Sequence, residues 1–154
     1  MKPSRRMPRE DAVEILKNGK YGVLSTSSED GMPYGVPINY FYIEEENAIY
    51  FHCALKGRKT DNIQANNRVA FVVIGQEAVV EERFTTHYES VMVSGIATFV
   101  TDLAEKEKKL NQLCDALTPS AVARRAEVIQ KYLPAVAIVK LEICELTGKR
   151  NKDN

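Results

Sequence analysis

The sequence predicts a mostly β fold with peripheral helices, an antiparallel barrel or a sandwich, on three observations. Six or seven stretches are rich in β-branched and aromatic residues, as strands are. In the first half these stretches follow one another through short turns, which favours hairpins. They do not alternate regularly with helices, which disfavours a doubly wound parallel sheet.

The first half of the chain is expected to open with a helix and continue as an antiparallel meander. A flexible tail over residues 1–8 precedes the helix, and a single domain is expected over residues 9–150, before a short tail at 151–154. Asp30-Gly31 and the acidic run from Glu44 to Asn47 are turn signals. The expected elements are a helix at Arg9–Asn18 and strands at Tyr21–Ser27, Pro33–Ile43 and Ala48–Cys53.

The second half mixes helices and strands. Gly95 interrupts one strand pattern and predicts a bulge or a close approach of another backbone. The polar end of the chain, from Thr147 to Asn154, is expected to be a tail. The expected helices are Leu55–Asn67, Leu103–Leu117 and one from Pro119 to before Pro134; the expected strands are Arg68–Gly75, Ala78–Phe84, Glu89–Val100 and Ala135–Leu146.

Composition excludes several classes of function. The chain has 154 residues, and its 21 Lys and Arg balance 21 Asp and Glu. Nucleic-acid and membrane-surface binders need excess positive charge, and no apolar run approaches the roughly 18 residues of a membrane span. We therefore expect neither nucleic acid nor membrane as a partner.

The cysteines and histidines are too few and too scattered for a disulfide framework or a metal site. Cys53, Cys114 and Cys144 are odd in number and far apart, and His52 and His87 are the only histidines. The N-terminus has no apolar segment of a secretory signal. We expect a cytoplasmic protein without a metal.

A crowded basic segment is the most informative part of the sequence. Lys56, Arg58 and Lys59 stand where a strand ends and a helix begins. Cations are unfavourable at a helix N-terminus unless an anion lies among them, and Gly57 would let a phosphate approach free N–H groups. A solvated basic turn, partly offset by Asp61, explains the segment equally well. The spacing of a Walker A loop is absent.

Two further features near this segment bear on function. Pro37, within a strand pattern, removes a ladder donor and predicts an edge or a bulge. A planar ligand against that strand is one interpretation, and an irregular edge strand is the commoner one. His52 is adjacent to the basic segment, which raises its chance of a functional role. His87 is expected in a surface loop.

Taken in order, these motifs resemble a known family. The series runs from Gly22–Thr26 through Asp30-Gly31, Pro33–Asn39, Ile49–His52 and Gly57–Lys59 to Asn66–Val69, Tyr88–Gly95 and Thr147–Lys149. It resembles the FMN-binding split-barrel family that includes pyridoxamine 5′-phosphate oxidase, and within it the nitroimidazole-reductase branch. The resemblance implies a six-stranded antiparallel split β-barrel that binds FMN.

The resemblance also implies a role for particular residues. The backbone at Val36-Pro37-Ile38 would lie along the flavin ring, Arg58 and Lys59 would hold the phosphate, and Asn62 would help at the phosphate or ribityl end. Ser90 would reach FMN from the other subunit of a homodimer. The remaining positions assigned to the cofactor site are Ser25, Phe51, His52 and Gly57.

The activity implied is that of an FMN-dependent oxidoreductase that reduces a small acceptor such as a nitroaromatic. NAD(P)H would be a transient donor, and His52 would act as proton donor or positioning group. The chain lacks the basic C-terminal Arg-Leu and Pro motif of the vitamin-B6 oxidases and ends in Leu141–Lys149 instead. The alternative is a non-catalytic carrier or redox sensor for a flavin or haem, and other relatives use a deazaflavin.

Overall fold

The computed structural model describes residues 3–152 and shows antiparallel strands with four α-helices around them. The strands are β1 (Arg6–Met7), β2 (Tyr21–Ser27), β3 (Pro33–Asn39), β4 (Phe41–Ile43), β5 (Ala48–Ala54), β6 (Arg68–Val80), β7 (Thr85–Phe99) and β8 (Val136–Asn151). The helices are α1 (Arg9–Asn18), α2 (Arg58–Ala65), α3 (Leu103–Leu117) and α4 (Arg125–Tyr132). No helix within residues 3–152 is long and apolar enough to cross a membrane.

One bent segment joins the two ends of the sheet. Hydrogen-bonded neighbours follow the order β3-β2-β6-β7-β8-β5-β4, and each pairing is antiparallel. β3 and β4 stand at opposite ends of this order, yet only Tyr40 separates them in the chain. Counted as one strand interrupted at Tyr40, they give the six strands of the expected split barrel, with β1 added beside β8. The predicted mostly β fold is confirmed.

The barrel interior is filled by side chains that alternate along the strands. Leu24, Phe51 and Phe71 are almost fully buried there, and each such side chain contributes roughly 1.5–3 kcal/mol. Two helices close the barrel against solvent: α1 through Leu16 and α2 through Ile63. The Tyr40 hydroxyl donates to the Leu16 carbonyl at 2.8 Å, which ties α1 to the break between β3 and β4.

A second apolar cluster lies on the outside of the barrel. There α3 and α4 cover the outward residues of β5, Ala48 and Tyr50. Asp102 caps α3, accepting a hydrogen bond from the Glu105 N–H at 2.8 Å. The helices contribute mainly Leu110, Leu113, Ile129 and Leu133 to this cluster.

Several sequence predictions are confirmed in detail. α1, β2 and α3 have the expected bounds. The register of β7 against β8 shifts between Ser94 and Gly95, as the bulge prediction requires. A Cβ at Gly95 would lie 2.0 Å from the Glu142 carbonyl oxygen, so no other residue fits there.

Other predictions were wrong because local signals missed long-range pairing or turns. No helix starts at Pro119; residues 118–124 form turns, and α4 begins at Arg125. Residues 78–84 are not a separate strand, since β6 continues to Val80 and a 3₁₀ turn follows at Glu81–Arg83. The helix expected at Leu55–Asn67 is shorter than predicted, because it begins at Arg58 and ends at Ala65.

The two expected tails also differ from the structure. β8 continues through Thr147 to Asn151 because it pairs with β7 over that length. Arg6 and Met7 pair with Lys149 and Gly148, which covers a part of β8 that β5 does not reach. Residues 1, 2, 153 and 154 of these tails lie outside the described residues. Cys53, Cys114 and Cys144 are free thiols.

Candidate functional site

The start of α2 is a helix terminus without a cap. Gly57 precedes it with φ +142°, a conformation that disfavours any side chain, although a Cβ there would meet no atom within 4 Å. No side chain caps this terminus, so the N–H groups of Arg58, Lys59 and Thr60 have no intrahelical acceptor. The Thr60 hydroxyl donates to the Gly57 carbonyl at 2.7 Å and holds the turn in shape.

The cations at this terminus have no carboxylate partner among the residues that the structure describes. Within residues 3–152, neither Lys56, Arg58 nor Lys59 forms an ion pair, and Asp61 of the same helix does not compensate them. Their charges add to the partial positive charge of the helix terminus. The arrangement therefore favours an anion over the turn offset by Asp61, which the sequence left equally open.

Arg58 is held by an aromatic ring of the neighbouring strand. Its guanidinium carbon lies 4.5 Å from the centre of the Tyr34 ring, within the range of a cation–π contact. Asp30 is near enough to feel this charge, but the Ser28 hydroxyl is the main reason that the pKa of Asp30 is lowered, and Arg58 contributes least. Arg58 thus lies over the Tyr34 ring, and its N–H donors form no hydrogen bond with another residue of 3–152.

Hydrogen bonds between side chains anchor α2 to the barrel. The Asn62 amide nitrogen donates to the Thr26 hydroxyl at 2.9 Å, and Asn62 is 4% exposed. The Thr26 hydroxyl in turn donates to the Tyr34 carbonyl at 3.5 Å, and Asn66 donates to Ser27 at 3.0 Å. Asn62, expected at the cofactor, has its amide nitrogen engaged within the protein and fixes the helix that carries the cations.

β3 forms one open edge beside this terminus. It pairs with β2 along its whole length, and no other strand of residues 3–152 pairs with it. The prediction that Pro37 marks an edge strand is confirmed. Val36 and Ile38 pack their half-buried side chains against the barrel core, so the backbone is what β3 offers at its edge. The contact of that backbone with a flavin ring stays a prediction.

The end of β5 presents two neighbouring residues to opposite sides. Phe51 is 1% exposed and lies in the barrel core, so any contact with a ligand would come from its backbone. His52 is exposed on the other face, beyond the residues that α3 and α4 cover. Loss of hydration around its ring lowers the pKa of His52 from its ordinary value, and the imidazole is neutral at pH 7.

The two serines assigned to the site lie elsewhere within one chain. Ser25 stands opposite Gly35 and Ala70, on the strand face away from Thr26 and hence from α2. Ser90 is on β7, across from Ile74 and Lys149 and two strands from β2. The structure therefore brings Gly57, Arg58, Lys59 and Asn62 together, and it leaves the Ser25 side chain and Ser90 outside that cluster.

Sequence reasoning missed Tyr34, Thr26 and Thr60, which complete the cluster. The signal for Thr26 was present, because alternation from the buried Leu24 places it on the inner side of β2. Tyr34 lies directly opposite Thr26, so the same alternation places it next to α2. Thr60 carried no signal beyond its position in the first turn.

The cluster is an open edge rather than an enclosed cavity. A cavity of about 390 Å³ lies on the far side of the molecule, between α1 and the β6–β7 hairpin, lined by Asp11, Glu14, Glu89 and Arg150 among others. Its acidic lining does not suit a phosphate.

Comparison with known proteins identifies the family. A family model described as pyridoxamine 5′-phosphate oxidase matches residues 8–150. The chain belongs to the pyridoxamine 5′-phosphate oxidase family. No curated protein matches it in sequence. The family accounts for the split barrel described above.

Solved structures of the same fold are similar over almost the whole chain. A candidate 5-nitroimidazole antibiotic resistance protein from Bacteroides thetaiotaomicron has a TM-score of 0.79 at 22% identity, covering 94% of this chain and 86% of its own. The flavocytochrome Anf3 from Azotobacter vinelandii has a TM-score of 0.79 at 23% identity, and the match covers 95% of this chain and 68% of its own. A FAD-binding protein from Mesorhizobium loti has 0.73 at 19%, covering 97% of each chain. At these identities the likeness supports the fold.

Proposed function

We propose that the protein is a flavin-dependent oxidoreductase that holds FMN by its phosphate at the N-terminus of α2. The observation that carries the proposal is the pair Arg58 and Lys59, which have no carboxylate partner in residues 3–152, at a terminus whose N–H groups lack acceptors. A phosphate dianion neutralises such a site and accepts its hydrogen bonds.

The residues at the open edge fit the rest of a flavin. The β3 edge at Val36–Ile38 offers unpaired backbone groups to a flat ring, and the N–H at Pro37 is missing in any case. FMN supplies, when bound, a centre that exchanges two electrons. Relatives of the same fold are described as a flavocytochrome and a FAD-binding protein, which supports a flavin as the ligand.

His52 is the side chain we assign to the substrate. It is exposed, neutral at pH 7 because desolvation lowers its pKa, and carried by the strand that leads to α2. A neutral imidazole carries one N–H donor and can position a small acceptor such as a nitroaromatic by a hydrogen bond, whereas proton donation would come from its protonated form. NAD(P)H is the proposed donor. The variant His52→Gln should bind FMN like wild type and reduce the acceptor more slowly; equal rates would remove His52 from the reaction.

A homodimer would complete the site. The outer face of β2, β3, β6 and β7 carries exposed apolar side chains: Tyr21, Val23, Ile74 and the half-buried Val72 and Met92. Ser90 lies directly across from Ile74, which is 55% exposed. A second copy packed on this face would therefore carry its Ser90 toward the open edge, and burial of apolar surface would stabilise the dimer.

The dimer has its own test. Ile74→Glu places a charge on the apolar face and should shift the protein to a monomer in sedimentation, with weaker FMN binding. Glu82→Gln, on the exposed turn between β6 and β7, is the matched control. A wild-type protein that sediments as a monomer at working concentration would contradict this assignment.

The free thiols support a cytoplasmic location.

FMN and riboflavin together test the phosphate assignment. They differ only in the phosphate, so the ratio of their dissociation constants, from quenching of flavin fluorescence, isolates its contribution. We expect FMN to bind on the order of 100-fold more tightly. Equal affinities would refute the assignment. Uptake of haem with a Soret band and no uptake of flavin would favour the haem-binding carrier instead.

A further inference from the structure

The ring of Tyr34 lies under Arg58 at the point where α2 begins. The guanidinium carbon is 4.5 Å from the ring centre. Tyr34 is half-buried on β3, whereas Arg58 is exposed and forms no side-chain hydrogen bond or ion pair among residues 3–152, where only the weak electrostatic influence of Asp30 adds to the ring contact. The ring is therefore the one group in the described chain that restricts the Arg58 side chain.

The strand that carries the ring is tied to α2. The Tyr34 carbonyl accepts from Thr26, and Thr26 accepts from Asn62 of α2. These bonds join β3, β2 and α2 and so hold the backbone of Tyr34 close to the helix terminus. A long, exposed arginine otherwise loses rotamer entropy on binding a ligand.

A cation–π contact suits this task because it uses none of the side-chain hydrogen bonds of Arg58. The guanidinium carries five N–H donors, and with no hydrogen bond or ion pair to residues 3–152 they are available for the oxygens of a phosphate. Lys59 has no such aromatic neighbour in the described residues and acts as a point charge. The two cations therefore differ: Arg58 lies over an aromatic ring, and Lys59 has no such contact within the described residues.

We infer that Tyr34 is a positioning residue that pre-orients Arg58 and so makes the site select phosphorylated flavins over unphosphorylated ones. This inference rests on the proposed function, since it assigns the phosphate to Arg58. Tyr34 acts through Arg58 and need not touch the flavin. It contributes the preference for the phosphate and none of the affinity for the ring.

A double-mutant cycle tests the inference with FMN and riboflavin as probes. Tyr34→Leu removes the ring, and Tyr34→Phe keeps it and serves as the matched control; thermal melting of both verifies folding. Tyr34→Leu should weaken FMN binding about three- to tenfold and leave riboflavin binding unchanged. Tyr34→Phe should behave like wild type. In an Arg58→Gln background, Tyr34→Leu should change FMN affinity less than twofold.

The outcomes distinguish the role of Tyr34 from the assignment of the phosphate to the N-terminus of α2. If riboflavin affinity falls as much as FMN affinity, or if the loss persists in the Arg58→Gln background, Tyr34 does not act through Arg58 and the inference is refuted. A Tyr34→Leu variant that keeps the full wild-type preference for FMN, with no three- to tenfold loss, refutes the inference alone. A wild-type protein without any preference for FMN refutes both the inference and the phosphate assignment.

Discussion

Two groups of cationic side chains in this chain differ in what neutralises them. Lys109 of α3 is 1% exposed, and its ammonium lies 2.7 Å from Glu46 and 3.3 Å from Glu105. It also lies 4.2 Å from the centre of the Tyr50 ring. Arg58 and Lys59 have no such carboxylates in residues 3–152. Lys109 is neutralised by carboxylates of the protein, whereas Arg58 and Lys59 have no carboxylate partner among the described residues.

The difference shows how position determines the role of a charge. A buried lysine must find carboxylates on folding, because an unpaired charge in the interior costs several kcal/mol. Cations at an exposed helix terminus remain hydrated in the absence of an anion. The unfavourable interaction with the helix dipole then costs little free energy. The charges around Lys109 therefore serve folding, whereas we propose that those at α2 serve binding.

The largest expected effect is on ligand binding at α2. The double variant Arg58→Gln, Lys59→Gln should weaken FMN binding about 100-fold, because two charge-assisted hydrogen-bond donors to the phosphate are lost. Riboflavin binding should change little. Titration calorimetry with both flavins measures this, with Lys131→Gln on α4 as the control. Unchanged FMN affinity would show that Arg58 and Lys59 do not bind the phosphate, and it would contradict the proposed contrast with Lys109.

Next in size is the stability of the buried cluster. Glu46→Ala should lower the free energy of unfolding by about 2 kcal/mol, below the range for fully buried pairs because Glu46 is partly exposed and Glu105 remains. Lys109→Met, of similar length, should cost less than about 1 kcal/mol, since its partner carboxylates reach water. Urea denaturation gives both values. A larger loss for Lys109→Met than for Glu46→Ala would contradict this assignment.

The same cluster makes stability depend on pH. Partial burial acts to raise the pKa of Glu46, but hydrogen bonds from Lys109 and Tyr50 and the charge of Lys109 outweigh it, so the pKa is lowered. A lowered folded-state pKa gives stability above the unfolded pKa of about 4.3, which is lost as the pH falls through the folded value. Wild type should therefore lose more stability than Glu46→Gln on going below about pH 4. Equal losses of unfolding free energy in wild type and Glu46→Gln would show that the Glu46 carboxylate is not stabilised by Lys109 and Tyr50.

The smallest effect concerns the ligand-free protein. Lys59→Gln removes a charge that opposes the dipole of α2 and should raise the free energy of unfolding by roughly 0.3 kcal/mol at low salt. Lys131 lies in the last turn of α4, where a cation is favourable, so Lys131→Gln should have the opposite sign. Urea denaturation of the two variants at low salt checks this. A loss of stability in Lys59→Gln would indicate an internal partner for Lys59.

Local signals were sufficient for much of the fold. Periodicity and turn residues located α1, β2 and α3, and Pro37 and Gly95 marked an edge and a bulge, because each depends on a few neighbouring residues. The C-terminal residues Thr147–Asn151 looked like a tail because they are polar. They form a strand through pairing with β7, whose residues lie more than 50 positions earlier in the sequence.

The sequence predicted the cluster of charged residues at the candidate site, but it did not predict which side chains contact one another there. Crowded cations after a strand indicated an anion site from sequence alone. The ring under Arg58 and the link from Asn62 to Thr26 join residues 24 and 36 positions apart, which only the closed barrel brings together. The buried lysine was missed entirely, since Lys109 lies in a run of charged residues typical of an exposed helix.

A crystal structure of the protein grown with FMN tests the central claim most directly. We predict the phosphorus atom at the N-terminus of α2, with its oxygens within hydrogen-bonding distance of the Arg58 guanidinium, the Lys59 ammonium and the N–H groups that lack acceptors. FMN bound with its phosphate elsewhere, and Arg58 and Lys59 paired with carboxylates of the protein, would contradict the account.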